Sequence, residues 1–309
     1  MIAGQEWQRP NFRMHHPKAV AIDDHVYVGG GYATGERAAT VLEMELQSGN
    51  WNEIKNCPMK YFGMAVVKKQ LFVVGGVSNT ATKMGDIYLL DMTSKEWKHF
   101  PSAPMKEKRS TLSVVTYADR WLFAIGGENS RGSPLDSIER LNTEDPEDQR
   151  FWIQCPKLPT KCAQLSSTVV GSKLFVFITK ATSNRVYCGQ LDVLVYSDEN
   201  YRDFSWQEIT GVPSKSSTPL SYNGSLLALG GFESEYAPTS CIYKLEYHPT
   251  SASDEKSPQT VWKKVDNLPQ PLYQCAATKI TDQIFVYGMC SDSKFAAIHH
   301  VYIHTLNEI

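Results

Sequence analysis

The histidines are the first residues whose type and spacing invite chemistry. His15 and His16 are adjacent, and His299, His300 and His304 cluster near the end of the 309-residue chain. Imidazole is a common metal ligand, so each group raises the question of a metal site. The spacing argues against one. On a strand, His300 and His304 stand about 13 Å apart at ~3.3 Å per residue, and His299 and His300 point to opposite faces. These histidines read as polar residues at strand edges, and no metal or other cofactor is expected.

The seven cysteines are Cys57, Cys155, Cys162, Cys188, Cys241, Cys275 and Cys290, an odd number without a C-x-x-C pair. That usage points to free thiols in a reduced compartment rather than a disulfide framework. Lys161 beside Cys162 could lower a thiol pKa, and Cys275 follows Tyr273 closely. Small buried loop thiols are the simpler expectation for both.

Cations form the strongest chemical pattern. The segments 10–16, 57–63, 104–111, 158–165, 212–218 and 268–275 carry Arg13, Lys60, Lys106, Lys108, Arg109, Lys161 and Lys215 against a single acid, Glu107. The whole chain has 31 Lys and Arg against 33 Asp and Glu, a net charge of −2. A global field that would draw nucleic acid or an anionic membrane is therefore excluded, and electrostatic recognition has to be local. Seven cations brought together would suit an acidic or phosphate-bearing peptide. His15 and the aromatic neighbours Phe12, Tyr61, Phe62 and Tyr273 add contact-surface character.

Those segments recur because the elements between them recur. Leu71-Phe72-Val73-Val74-Gly75-Gly76 reads as a buried strand ended by a glycine pair. The run returns before Gly30-Gly31, Gly126-Gly127 and Gly230-Gly231, and in altered form before Ile178-Thr179 and Gly288-Met289. A recurrence of about 50 residues is the mark of a repeat architecture. Tryptophans keep a second phase at Trp7, Trp51, Trp97, Trp152, Trp206 and Trp262, with Trp121 alone off it.

Within the second repeat, strands are predicted over 64–69, 71–75, 86–91 and 96–100, with a tight turn at Lys69-Gln70. One such meander is apolar on both faces and needs copies stacked on either side. The last repeat lacks its tryptophan strand and the N-terminus has one to spare, so Trp7 is expected to complete the last sheet. The prediction is an all-β, six-bladed propeller filling residues 1–309 as one domain. Its repeats run approximately over 17–56, 63–101, 110–156, 164–211, 217–267 and 274–309 plus 4–10, with four antiparallel strands per blade.

The Gly-Gly runs, the tryptophans each followed by a proline, and the pairs Ile87-Tyr88, Ile242-Tyr243 and Val301-Tyr302 together resemble kelch repeats over essentially the whole chain. The inter-blade arginine frequent in that family appears clearly only as Arg109. The resemblance implies a non-enzymatic protein-interaction module, a scaffold or substrate adaptor. Relatives in animals often recruit substrates to cullin-based ubiquitin ligases or associate with actin, in both cases through an attached BTB domain or other module. None is visible here.

In an antiparallel meander the second-to-third-strand links emerge on the same face as the links between blades, where relatives usually hold their ligand. The second-to-third links contribute Glu36, Arg37, Lys83, Arg131, Lys180, Arg185, Glu233, Glu235, Tyr236, Lys294 and Phe295. The expected partner is a protein or peptide with an acidic segment, contacted by Arg13, His15, Lys60, Tyr61, Lys106, Lys108, Arg109, Lys161, Lys215, Tyr273, Arg37, Arg131, Arg185 and Tyr236. On the opposite face, 142–150 is an acidic insertion and 248–260 a long polar loop. A copper oxidase of kelch type would need histidines converging on Tyr187 and Cys188. A sugar hydrolase or epimerase would need carboxylates in the channel. Of these, a propeller enzyme acting on a sugar or small molecule is the alternative. There is no apolar run of 18 residues and no signal-peptide core, so a cytoplasmic protein is expected. Asn223-Gly224-Ser225 reads as a hairpin turn rather than a glycosylation site.

Overall fold

The computed structural model describes residues 5–6, 14–31, 38–179, 184–196, 201–234, 237–248, 259–291, 297–304 and 306. Each repeat folds into an antiparallel meander. Lys18–Ile22, His25–Gly29, Val41–Glu45 and Trp51–Ile54 pair in that order to make the 18–54 sheet. Gly63–Val67, Gln70–Ser78, Lys83–Leu90 and Trp97–His99 make the 63–99 sheet, and Met59–Lys60 pairs with the far end of Gln70–Ser78. Ser113–Tyr117, Trp121–Ile125, Ile138–Asn142 and Ile153–Cys155 make the 113–155 sheet.

The 165–209 sheet holds Leu165–Val170, Lys173–Thr179, Asn184–Gln190 and Gln207–Ile209. Thr218–Tyr222, Ser225–Leu229, Cys241–His248 and Gln259–Asn267 make the 218–267 sheet. The closing sheet contains Tyr273–Ile280, Gln283–Ser291 and Ala297–His304, and its outer strand is Gln5–Glu6 from the other end of the chain. Gln5 lies opposite Ile303, and Glu6 opposite Tyr302. Trp7, expected in that strand, lies outside the described residues.

The first strands of these sheets touch in a closed circuit. It runs from 18–22 to 63–67, 113–117, 165–170, 218–222, 273–280 and back to 18–22. The fold is therefore an all-β propeller around a central channel. Among the described residues, no helix is long and apolar enough to cross a membrane.

The turn at the end of the first strand is set by backbone handedness. Val67 pairs with Gln70, so the two turn residues are Lys68 and Lys69 rather than the predicted Lys69-Gln70. Both adopt left-handed φ, +47° and +61°, as a two-residue type I′ hairpin requires. Asn223 and Gly224 take the same conformation, at +47° and +75°, between Thr218–Tyr222 and Ser225–Leu229.

The strands before Gly30-Gly31, Gly126-Gly127 and Gly230-Gly231 stop at Gly29, Ile125 and Leu229, as expected, but the pair Gly75-Gly76 does not end its strand. Gln70–Ser78 runs through it with a register shift between Val74 and Gly76. The amide of Gly76 donates to the carbonyl of Arg109 (2.7 Å), in the link entering the next sheet. A Cβ there would lie 2.5 Å from the carbonyl of Lys60, and the φ of +113° already disfavours a side chain. The pair is thus the joint between neighbouring sheets.

Tryptophans fill the layers between sheets. The Trp51 ring lies 6.3 Å from that of Phe285 on the closing sheet, and Trp262 stands edge-on to Phe177 at 6.1 Å. Trp152, 2% exposed, packs with Phe72, Val74, Phe100 and Leu122 between the 63–99 and 113–155 sheets. Truncating Trp152 to alanine should cost about 3–5 kcal/mol in urea unfolding. Its indole N–H has no hydrogen-bond partner in the structure, so Trp152→Phe should cost clearly less. Equal losses for the two variants would contradict this account of the layer.

One element was not anticipated. The link after Asn184–Gln190 contains a helix, Leu191–Tyr196, whose Leu191, Leu194 and Val195 are buried with residues of the 113–155 sheet. The spacing i, i+3, i+4 gives the short helix one apolar face.

Candidate interaction face

The two sets of links share one end of the ring, and backbone pairing shows how. Lys60 pairs with Val77, Ser110 with Glu128, Leu135 with Cys162, and Lys215 with Phe232. In each case an inter-sheet link is laced to a second-to-third-strand link. Side chains reinforce the lacing. Lys83 bonds Ser110 and lies 3.7 Å from Glu128, and the Tyr273 ring packs 4.8 Å from Phe232.

The predicted contact residues divide on this frame. Lys106, Lys108, Arg131 and Lys161 are exposed, and Lys60 and Lys215 are half-buried. Among the described residues none of these six forms an ion pair within the 4 Å limit of direct contact. Arg185 is exposed but lies near Tyr187 (3.2 Å) and Glu208 (3.8 Å). His15 is exposed with Nδ1 3.3 Å from Gln274 Oε1. Tyr61 is half-buried and has φ +56°. Arg13, Arg37 and Tyr236 lie outside the described residues, as do Phe12, Glu36, Lys180, Glu235, Lys294 and Phe295.

Arg109 is a correction. Its side chain is fully buried, and all of its donors are engaged within the fold. Nε donates to Glu107 O (3.1 Å) and Nη1 to Gly126 O (3.1 Å) and Ser137 O (2.9 Å). Nη2 donates to Ser137 Oγ (3.0 Å) and Glu139 Oε1 (2.6 Å). Glu139, equally buried, also accepts from the amides of Lys106 (2.8 Å) and Glu107 (3.1 Å). Arg109 therefore anchors the link that presents Lys106 and Lys108, and it has no surface to offer a partner. Sequence reasoning missed Glu139, although an acid between buried neighbours in the strand Ile138–Asn142 was a signal that a buried cation was needed.

The other candidates for chemistry settle into structural roles. Burial pushes the Cys57, Cys155 and Cys275 thiols up to about 12 and Cys188 to about 11, away from thiolate chemistry. Cys162 is buried with its Sγ 3.8 Å from Leu135 O, and Lys161 points outward. Among the described residues no three His, Cys, Asp or Glu side chains converge as a metal site would require. His299, His300 and His304 occupy register positions opposite Met289, Gly288 and Ile284 on the third strand of the closing sheet, whose other side Gln5–Glu6 pairs at Tyr302 and Ile303. In the acidic insertion, Glu144 bonds Lys68 of the neighbouring sheet and lies 3.6 Å from Arg120, and residues 147–149 form a single turn of 3₁₀ helix. Residues 249–258 of the polar loop lie outside the described residues.

The channel opens on the same end. The inner strands surround a cavity of about 400 Å³, lined by hydroxyl, amide and apolar side chains together with Lys18, Lys279, His16 and Cys275, and among the described residues no carboxylate lines it. The paired acids of a glycoside hydrolase are therefore absent from this lining. His16 lies at the mouth. Burial, then the charges of Lys18 and His15, hold its imidazole down to about 4. An unfolded histidine titrates near 6.5, so the native state binds fewer protons between those values. The resulting stability is complete above pH 6.5 and is lost as pH falls towards 4. Thermal unfolding across that window should show a shallower decline in His16→Asn than in the unaltered protein.

An all-β propeller with its links laced together at one end defines the class. The model of the KLHDC2/KLHL20/DRC7 Kelch-repeats domain matches residues 3–178, more than half of the chain. The chain belongs to this kelch-repeat family. Kelch domain-containing protein 3 of Rattus norvegicus is 22% identical over 338 residues, an alignment covering 96% of this chain and 84% of that protein. Beta-scruin of Limulus polyphemus is 29% identical over 194 residues, covering 57% of this chain and 20% of its own. The solved structure of YjhT superposes with a TM-score of 0.70 at 12% identity, over 98% of this chain and 97% of that one, and so shares the fold.

Proposed function

We propose that this chain is a six-bladed, non-enzymatic kelch propeller, folded as a single domain over residues 1–309, that binds an acidic segment of a protein partner on the laced end of the ring. The closed circuit of first strands supports the blade number. The observation that carries the binding reading is the set of exposed, unpaired cations Lys106, Lys108, Arg131 and Lys161 on neighbouring links. The Arg109–Glu139 pair holds two of them in place before any partner arrives, so binding orders little backbone. Half-buried Tyr61, whose carbonyl accepts from the amide of Thr111 (2.8 Å) on the link bearing Lys106 and Lys108, supplies apolar area beside the charge. The free cysteines suit a reducing compartment such as the cytoplasm, and the role is that of an adaptor or scaffold.

The test is selection of a displayed peptide library on the purified protein, with Lys106→Glu, Lys108→Glu, Lys161→Glu as the counter-selecting variant. All three side chains are exposed, so the variant should unfold with an unchanged midpoint. Enrichment of an acidic motif is expected, with at least tenfold weaker binding to the variant and a steep fall in affinity with salt. A motif that binds both proteins equally would move the partner site elsewhere.

A further inference from the structure

We propose that the central channel is a binding site for a small free oxyanion, a phosphate or a carboxylate, held by Lys18 and the channel hydroxyls. The inference is independent of the peptide-binding face. Lys18 begins the strand Lys18–Ile22, yet its Nζ donates to the carbonyl of Leu165 at 3.3 Å. In the circuit of first strands, 165–170 is three strands from 18–22 in either direction. The side chain therefore spans the channel and places an ammonium group within it.

That ammonium group is poorly served by the protein. It has three N–H donors and one long bond to a neutral carbonyl, and among the described residues no carboxylate lines the cavity. An enclosed cation without a counter-charge is costly, and enclosure holds the Lys18 amine down to about 8. Lys279, the other lysine of the channel, is differently placed. Its Nζ bonds Asn223 Oδ1 at 2.8 Å and lies over the Tyr222 ring.

The wall beside Lys18 offers hydroxyls in place of charge. Ser166, Ser167 and Thr168 follow Leu165, and Ser113 faces them with its Oγ 2.7 Å from Ser167 Oγ. Within that pair one proton suffices for the mutual bond, which leaves the second hydroxyl able to donate to a ligand. A cation, adjacent O–H donors and no competing acid, in a cavity of about 400 Å³, match an oxyanion in charge, hydrogen bonding and size. The anion would supply the missing counter-charge, so binding should be strongest with Lys18 protonated.

Isothermal titration of the full chain with inorganic phosphate, and separately with acetate, tests the site and distinguishes its two sources of anion. Saturable one-to-one binding of at least one probe is expected at pH 7, at least tenfold weaker in Lys18→Met and unchanged in Lys279→Met. Phosphate alone would assign a phosphate-bearing ligand, and acetate a carboxylate. Should Lys18→Met fold poorly, the unaltered protein still decides the question. Acetate does not titrate above pH 7, so its affinity, or that of phosphate corrected for its own ionisation, should fall at least fivefold from pH 7 to pH 9.5 as Lys18 loses its proton. Among the described residues, the other titratable groups lining the channel are His16, Cys275 and Lys279. His16 is held near 4 and Cys275 near 12, so neither changes charge in that window, and Lys279→Met repeats the profile without the remaining amine. No saturable binding of either probe, binding indifferent to Lys18→Met, or a flat pH profile would overturn the proposal.

Discussion

Replacing Arg109 with methionine should destabilise the protein by about 3–5 kcal/mol, a large part of the stability of an ordinary domain. The loss comes less from the missing attraction than from what remains. Glu139 would stay fully buried with two backbone amides and no counter-ion, while Gly126 O and Glu107 O would lose the Arg109 donor and Ser137 O would keep only the amide of Gly126. Lysine should not rescue the site, because one ammonium group cannot reproduce five donors fixed in a planar fork. The double change Arg109→Met, Glu139→Leu should recover part of the loss, since it removes both charges together. The link amides of Lys106 and Glu107 would then lack an acceptor, so recovery should be incomplete. Urea unfolding of the three variants measures all of this. A single-variant loss below about 1 kcal/mol, in the range of an exposed ion pair, would mean that the guanidinium is not the anchor described.

The second large effect concerns a glycine joint. Gly231→Ala should cost about 3 kcal/mol or more, while Gly224→Ala, at the other end of the strand Ser225–Leu229, should cost about 1 kcal/mol. Both glycines have left-handed φ, +93° and +75°. Around Gly224 nothing lies within 4 Å of the added carbon, so backbone strain is the whole effect. At Gly231 the carbon would meet Lys215 O at 2.2 Å. Relief requires the 212–218 link or residue 231 itself to move, which breaks the paired bonds of Lys215 with Phe232 (2.7 and 2.8 Å) or the bond from Gly231 N to Leu272 O (2.8 Å) in the link entering the closing sheet. Hydrogen exchange should localise the damage. Faster exchange at residue 231 and in the 214–218 and 268–275 links of the Gly231 variant alone is the expected signature. Equal unfolding free energies for the two variants would sink the joint as an explanation of the repeat.

Much of this fold was readable in the chain because its main contacts repeat. Leu122 and Ile125 before Gly126-Gly127, or Trp152 and Trp262 in one phase, report the same inter-sheet packing several times over. Repetition separates a packing rule from coincidence. Contacts made once leave no such trace. Arg109 looked like one more link cation because its partner Glu139 is 30 residues away, on a strand whose pairing a local pattern does not give. Nothing local marks Lys18, because the sequence does not say that its side chain reaches the opposite wall. The helix Leu191–Tyr196 was hidden by length, since six apolar-rich residues fit a helix turn or a strand equally well. The lopsided charge of the links was legible. Which of those charges face outward depended on burial, and burial belongs to the whole ring.

The pairing of Gln5 with Ile303 sets a timetable for synthesis. Of the described strands of the ring, Gln5–Glu6 is made first and finds its partner last, because that partner lies roughly 300 residues behind it. At about 5–20 residues per second, the interval is on the order of 15–60 s. Throughout it, the third strand of the closing sheet is absent and the growing arc carries an open edge at each end, the feature that invites pairing with another chain. The same arrangement makes the finished ring all-or-none. The covalent chain is an open line, and backbone pairing of Gln5–Glu6 with Tyr302 and Ile303 turns it into a circle.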